Sequence, residues 1–298
     1  MPGPPRVRTA DAGAMETSGI RPGSIVVGYD GSAHSDRALA WAAEQAGLEH
    51  VPLVVTNAVH EDNTRTAIVL GAGLAPVPAR DLLGYAQAIG DQGVALALAR
   101  HPALDVVARP ALGDARHELV GLSRSAAMVV VGSRGHGAVA SGLLGSVGAH
   151  LARHAECPVV VCRPGNPGLV HGGVAVAADA TPGSRPVLEQ AFRQASLRAL
   201  PLTVVHCVSD DDSVEDARRA LAGSLAGLGE KFPDVPVDVR LGAGAVDDAL
   251  RRHRPWHLVV VGRHPLDSVV RRFSHVTATE VLEHSDATVV VVPQTRDL

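Results

Sequence analysis

Residues 131–146 read V-G-S-R-G-H-G-A-V-A-S-G-L-L-G-S. Gly132 and Gly135 are separated by two residues, nine more follow, and then come Gly145 and Ser146. A strand-like apolar run, Met128 to Val131, leads in, and a helix-like stretch, Val147 to Glu156, leads out. Glycine lets a backbone turn sharply and come close to a ligand with no Cβ in the way. The unpaired N–H groups at the start of the following helix suit an anion. Such a stretch is a phosphate cradle made of backbone at the carboxyl end of a strand. A second feature complements it: the apolar run Ser24–Gly28 ends two residues before Asp30. A carboxylate accepts hydrogen bonds from ribose hydroxyls while backbone N–H groups take phosphates, so the pair has the layout a nucleotide wants.

The cradle is not a Walker loop, which needs Gly-Lys-Ser/Thr, because the sole lysine is the distant Lys231. Nor is it a dinucleotide fingerprint, since its glycines are wrongly spaced. Arg134 and His136 lie inside the loop, where each either adds positive charge at a phosphate or is simply solvated. Asp30 has an alternative role as the N-cap of the helix beginning near Ser35, although Ser32 is better placed for it.

The elements that must position these residues occur twice. Ser24–Ser32 matches Gly173–Thr181, each a short apolar strand ending at an Asp (Asp30 and Asp179), and each precedes a helical pattern. Pro52–Asn57 matches Pro201–His206 at the same offset of 149 residues. Later the offset falls to 130: Met128–Gly132 matches Leu258–Gly262, and Cys157–Val161 matches Ala287–Val291. The first copy thus carries about 19 extra residues, placed in the Gly-, Pro- and Ala-rich stretch 60–80. Each copy reads as five strands alternating with helices. Val-rich strands without polar alternation belong to a parallel sheet covered on both faces, and right-handed crossovers wind it in both directions. The expected fold class is therefore α/β, with two tandem doubly wound five-stranded parallel-sheet domains of Rossmann-like type. Residues 1–20 read as a disordered tail, 21–163 as the first domain, 164–171 as a Pro/Gly linker and 172–298 as the second domain.

The spacing G-2x-G-9x-G-[ST], with the strand ending at Asp30 and the duplicated layout, resembles the universal stress protein family in its tandem, ATP-binding form. The resemblance covers nearly the whole chain after residue 20. It implies an adenine nucleotide alpha hydrolase-like fold and ATP or another adenine nucleotide as ligand, with Mg as an optional companion. It places Gly28 and Asp30 at the nucleoside and Ala58, at the end of the second strand, against adenine through its backbone. Gly132, Ser133, Arg134, Gly135, His136 and Gly137 would approach ribose and phosphate, with Gly145 and Ser146 holding phosphates at a helix start. The second copy departs from the pattern. Pro265 stands for Gly135, and His275 and Val276 stand for Gly145 and Ser146. Proline removes a donor, so a weakened second site is expected.

The implied function is a nucleotide-dependent regulator or sensor of the stress response, acting through the first domain. Two other readings stay open: a slow adenine-nucleotide hydrolase, and a dimerisation scaffold that has lost ligand dependence. No catalytic residue and no metal ligand set is assigned. In the family, dimers form through the last strand, so the two copies are expected to make an internal pseudo-dimer; a homodimer of whole chains stays open.

Composition agrees with this. The 298 residues are 46% hydrophobic and 19% charged, so the chain has ample material for buried cores, but aromatics are only 2%. The cores must be built from Ala, Val and Leu. The net charge of −4 and dispersed basic residues offer no nucleic-acid surface. No apolar run approaches the roughly 18 residues that span a bilayer, and residues 1–20 lack the apolar core of a secretory signal. Cys157, Cys162 and Cys207 are odd in number and lack metal-ligand spacing, as for buried thiols in a reducing cytoplasm.

Overall fold

The computed structural model describes residues 19–60, 77–135, 144–164, 172–178, 181–208, 213–243, 250, 256–263 and 278–294. Most of the expected tail and linker, residues 61–76 of the stretch expected to hold the insertion, His136, Gly137, Asp179, Pro265, His275 and Val276 lie outside the described residues.

The chain divides into two compact units, Met1–His136 and Gly137–Leu298. In the first, β1 (Ile25–Gly28), β2 (Leu53–Val59), β3 (Val106–Leu112) and β4 (Met128–Gly132) form a parallel sheet in the order β3-β2-β1-β4. β1 pairs with both β2 and β4, so the winding reverses between β1 and β4, and the carboxyl ends of such strands are where open α/β sheets hold ligands. β1 and β4 consist almost wholly of buried Ile, Val and Met, which is why neither shows the polar alternation of a half-exposed strand.

The helices cover both faces. α1 (Ala33–Glu49) packs on β1 and β4, α2 (Ala79–Arg100) packs on β2 and β3, and the two touch each other. α3 (Ala115–Leu122) packs on β1 and β2. Ser32 caps α1 by accepting the Ser35 N–H at 3.3 Å. Small residues on the buried stripe (Ala38, Ala42, Ala43, Ala46) let α1 lie close against the valines. The helix stops where His50 turns left-handed, at φ 56°.

The second unit contains β5 (Val159–Cys162), β6 (Val174–Ala177), β7 (Leu202–Val208), β8 (Val237–Ala243), β9 (Leu258–Arg263) and β10 (Thr288–Pro293), in the order β5-β10-β9-β6-β7-β8. Its helices are α4 (Ser146–His154), α5 (Arg185–Leu197), α6 (Val214–Lys231) and α7 (Ala278–His284). β10, β9, β6, β7 and β8 are parallel. β5 alone runs antiparallel, with Val159, Val160 and Val161 opposite Val291, Val290 and Val289. The division by packing therefore falls at 136/137, before the end of the first sequence repeat. The reason is that β5 and α4, written in the first repeat, pack with β10 and α7 of the second. Phe192 and Phe232 stack at 5.8 Å in this unit, a rare aromatic contact in a core of Val, Leu and Ala.

Candidate functional site

The first unit gathers its polar residues where β1 and β4 end. β1 stops at Gly28, whose Cβ position would lie 3.2 Å from Leu119 of α3. Tyr29 follows; its N–H donates to Thr56 O at 2.9 Å and its hydroxyl to Asp36 at 2.9 Å. Tyr29 is 2% exposed. Burial, reinforced by the hydrogen bond to Asp36 and that carboxylate's charge, holds the phenol well above its ordinary range.

Asp30 sits on the turn into α1. Its N–H donates to Ser35 Oγ at 3.3 Å, and its Oδ1 accepts the Ser32 N–H at 3.0 Å. Ser32, not Asp30, is the helix cap. Asp30 Oδ2 lies 2.7 Å from the point where a Cβ on Gly135 would stand. The carboxylate and the glycine loop are thus side by side, and the loop can come this close only because residue 135 has no side chain.

Gly132 is a glycine for another reason. A Cβ there would come within 2.7 Å of the backbone C and O of His34, so the end of β4 rests directly on the first turn of α1. Ser133 is 1% exposed, with its Oγ 3.2 Å from His34 Nδ1. Arg37 Nη2 stands 2.9 Å from the same nitrogen. Arginine only donates, so Nδ1 is an acceptor. Arg134 is half-buried, and its Nε is buried without a hydrogen-bond partner among the described residues.

Ala58 is the penultimate residue of β2, opposite Ala111 of β3. Thr56 O faces β1 and Val59 O faces β3, where it accepts the Gly113 N–H. Backbone polar groups alternate along a strand, so the N–H and C=O of Ala58 point to the β1 side, beyond the point where β1 has ended. Gly145 and Ser146 open α4 in the second unit. Gly145 is extended (φ −63°, ψ 148°) and supplies no side-chain cap, while Ser146 is exposed. The first N–H groups of this nine-residue helix carry its positive dipole end.

The second repeat uses the matching positions for packing. Gly262 lies at the end of β9, and its Cβ position is 2.6 Å from Gln294 Nε2 and 3.0 Å from Val187. Arg263 stands where Ser133 stood and donates to Ala155 O at 2.5 Å. His206 Nδ1 lies 2.7 Å from Ala178 O.

Three polar residues next to the site carry contacts that motif spacing does not reveal: His34, Asn57 and Tyr29. Asn57 had one sequence signal, its match with His206 at the polar end of both second strands. His150 and His154 are spaced H-x-x-x-H on α4. Their rings stack at 4.2 Å, and His154 Nδ1 is 2.8 Å from His150 O. Among the described residues no group of three metal-ligating side chains occurs, and no helix is long and apolar enough to cross a membrane.

This is a doubly wound α/β protein with a carboxylate and a glycine loop at the strand ends where the winding reverses. The sequence pattern of the Universal stress protein family matches residues 23–163. A universal stress protein of Mycobacterium tuberculosis H37Rv is 33% identical over 293 residues, covering 91% of this chain and 97% of the relative. One from Mycolicibacterium smegmatis is 33% identical over 261 residues, covering 80% and 86%. The chain belongs to the universal stress protein family. The fold is shared with a universal stress protein structure from Archaeoglobus fulgidus (TM-score 0.64, 19% identity, 91% of this chain and 98% of that one). A universal stress protein solved in complex with cAMP is 32% identical, covering 48% of this chain and 97% of that one, with a TM-score of 0.35.

Proposed function

We propose that the first repeat binds an adenine nucleotide, ATP foremost, and that occupancy regulates the protein in the stress response. The observation that carries this reading is the 2.7 Å approach of Asp30 Oδ2 to the Cβ position of Gly135. It joins an acceptor suited to ribose hydroxyls with a loop whose backbone donors suit phosphate. The unpartnered Nε of Arg134 supplies a cation's donor in that loop. The backbone of Ala58 faces the side where an adenine edge would lie. On the sequence motif alone, His136, Gly137, Gly145 and Ser146 are also assigned to phosphate. If magnesium accompanies the nucleotide, Asp30 is the carboxylate that would help hold it, and the ion would supply neutralisation of phosphate charge. A ligand changes a protein's state only through different affinities for two states, so a regulatory role requires occupancy to alter stability or association.

The second repeat would not bind a second nucleotide. Its matching glycine is covered by Gln294, and Arg263 is spent on a helix carbonyl.

Calorimetry on the full chain tests the reading. The expected stoichiometry is about one ATP per chain. Hydrogen bonds to a charged group are worth roughly 1.5–3 kcal/mol, so Asp30→Ala weakens binding about tenfold to a hundredfold. Gly135→Ala pushes against the tip of the Asp30 side chain and not against backbone, so it lowers affinity while leaving the melting temperature nearly unchanged. Unchanged affinity in both variants, or two equivalent sites, refutes the assignment. Steady ATP turnover well above background would replace it with a hydrolase reading.

A further inference from the structure

We propose that Asn57 is a positioning residue for the nucleotide site, acting by locking the peptide plane between Tyr29 and Asp30. The proposal rests on the adenine-nucleotide reading of Asp30 given above.

Asn57 lies in β2 and is 7% exposed. Its side-chain Nδ2 donates to Tyr29 O at 2.7 Å. Only the amide nitrogen can donate to a carbonyl, so the orientation of the carboxamide is fixed. Oδ1 is then turned away, buried and without a hydrogen-bond partner among the described residues. An unpaired buried acceptor is costly to a fold, and an apolar side chain would fill this strand position without it. Packing alone therefore does not explain an asparagine here.

The Tyr29 carbonyl belongs to the same planar peptide as the Asp30 N–H. That N–H donates to Ser35 Oγ at 3.3 Å. Both ends of one rigid plane are thus tied, the carbonyl by β2 and the amide by α1. With Tyr29 N–H also held by Thr56 O, little freedom is left in the direction in which Asp30 leaves the backbone. The Ser32 N–H then sets the carboxylate itself.

The second repeat makes the same bond with different chemistry. His206 matches Asn57 and Ala178 matches Tyr29 at the offset of 149 residues. His206 Nδ1 is 2.7 Å from Ala178 O, so it carries its proton on that nitrogen. Asp179 comes next in the sequence. An amide in one repeat and an imidazole in the other serve the same carbonyl, one residue before the same aspartate. The bond, not the residue type, is the common element.

The test uses the full chain with Asn57→Leu, which is close in size and lacks the donor, and Asn57→His, which copies the second repeat. Two readouts are taken. Amide hydrogen exchange without nucleotide reports the turn directly, and the ratio of affinities for ATP and 2′,3′-dideoxy-ATP reports Asp30's grip on the ribose hydroxyls. Asn57→Leu is expected to speed exchange at Asp30 and Ser32 and to bring the affinity ratio down about tenfold, equivalent to about 1.4 kcal/mol. Asn57→His restores both. A merely structural weakening would lower both affinities alike and leave their ratio alone. Unchanged exchange at Asp30 and Ser32 in Asn57→Leu overturns the proposal, as does failure of Asn57→His to restore it. Faster exchange in a protein whose wild type binds no adenine nucleotide overturns the nucleotide reading and leaves the peptide lock standing.

Discussion

Two glycines of one motif answer to different neighbours. Gly132 is required by the backbone of His34, so a side chain there disturbs the seat of β4 on α1; Gly135 is required by the tip of Asp30. Spacing in the sequence made both visible, and with them Asp30, because glycines and a strand-ending carboxylate leave a local signature. His34 and Asn57 left almost none. Their partners, Ser133 and Tyr29, come from other elements and meet them only once the sheet is assembled. Tyr29 likewise looks like the end of an apolar strand, yet its hydroxyl ties that strand end to Asp36 on α1. Its raised pKa has a consequence for stability. In the unfolded chain tyrosine ionises near pH 10, whereas the folded protein keeps this phenol protonated to higher pH. The stabilisation is complete below the unfolded value and is lost as pH climbs from there towards the folded one. Between pH 9 and 10.5 the wild type should lose about 1 kcal/mol more than Tyr29→Phe, from ionisation of the unfolded chain alone. Urea denaturation of both proteins at the two pH values measures this. Parallel losses would mean that Tyr29 ionises as freely folded as unfolded.

At the scale of elements, the strands were the most legible part of the chain. Continuous Val runs predict buried strands, and the runs Ser24–Gly28, Pro52–Asn57, Met128–Gly132 and Cys157–Val161 all fall on observed strands, as do their matches in the second repeat. The helix expected to begin near Ser35 starts slightly earlier, because Ser32 caps it, and it runs on to Glu49, where a left-handed His50 ends it. What the pattern could not show is that α4 has an anchor written 108 residues away. Arg263 donates to Ala155 O, the carbonyl at the C-cap of this helix. The cation meets the negative end of the helix dipole. Burial lowers the guanidinium's pKa, and the nearby Glu156 partly opposes this. In position, Arg263 replaces Ser133 of the first repeat, so a loop residue of the degenerate motif has become a clamp on the helix that carries Gly145 and Ser146. Arg263→Ala should cost about 1–2 kcal/mol, as for a charge-assisted bond that is only partly buried. Amide exchange in residues 150–155 should rise at the same time. Arg263→Lys should recover part of both. Unaltered exchange in α4 would show that the bond does not hold the helix.

At the scale of the whole molecule, the duplication explains why a chain with so few aromatics can still bury its last strands. A Val-rich edge strand invites pairing with another edge, and a second copy on the same chain supplies one at high effective concentration. β5 and β10 pair antiparallel, with Val160 opposite Val290 and Val161 opposite Val289. We propose that this pairing is made within one chain, as an internal pseudo-dimer, and not between chains. Residues directly opposite in an antiparallel pair have Cα atoms about 4.5 or 5.5 Å apart, in alternation. Both spacings fall in the range a disulfide can bridge, about 4.4–6.8 Å. The doubly substituted chains V160C/V290C and V161C/V289C, each with Cys157, Cys162 and Cys207 changed to Ala, are therefore a direct probe. On oxidation at low protein concentration, at least one of the two pairs should close. It should do so within a single chain, giving a product of monomer mass whose cross-linked peptides contain β5 and β10. The reduced and oxidised forms should elute alike on size exclusion, and the bridge should raise the melting temperature, because it closes a long loop in the unfolded chain. A covalent dimer as the main product, with little monomeric cross-link, would place the partner strand on a second chain and end the pseudo-dimer reading.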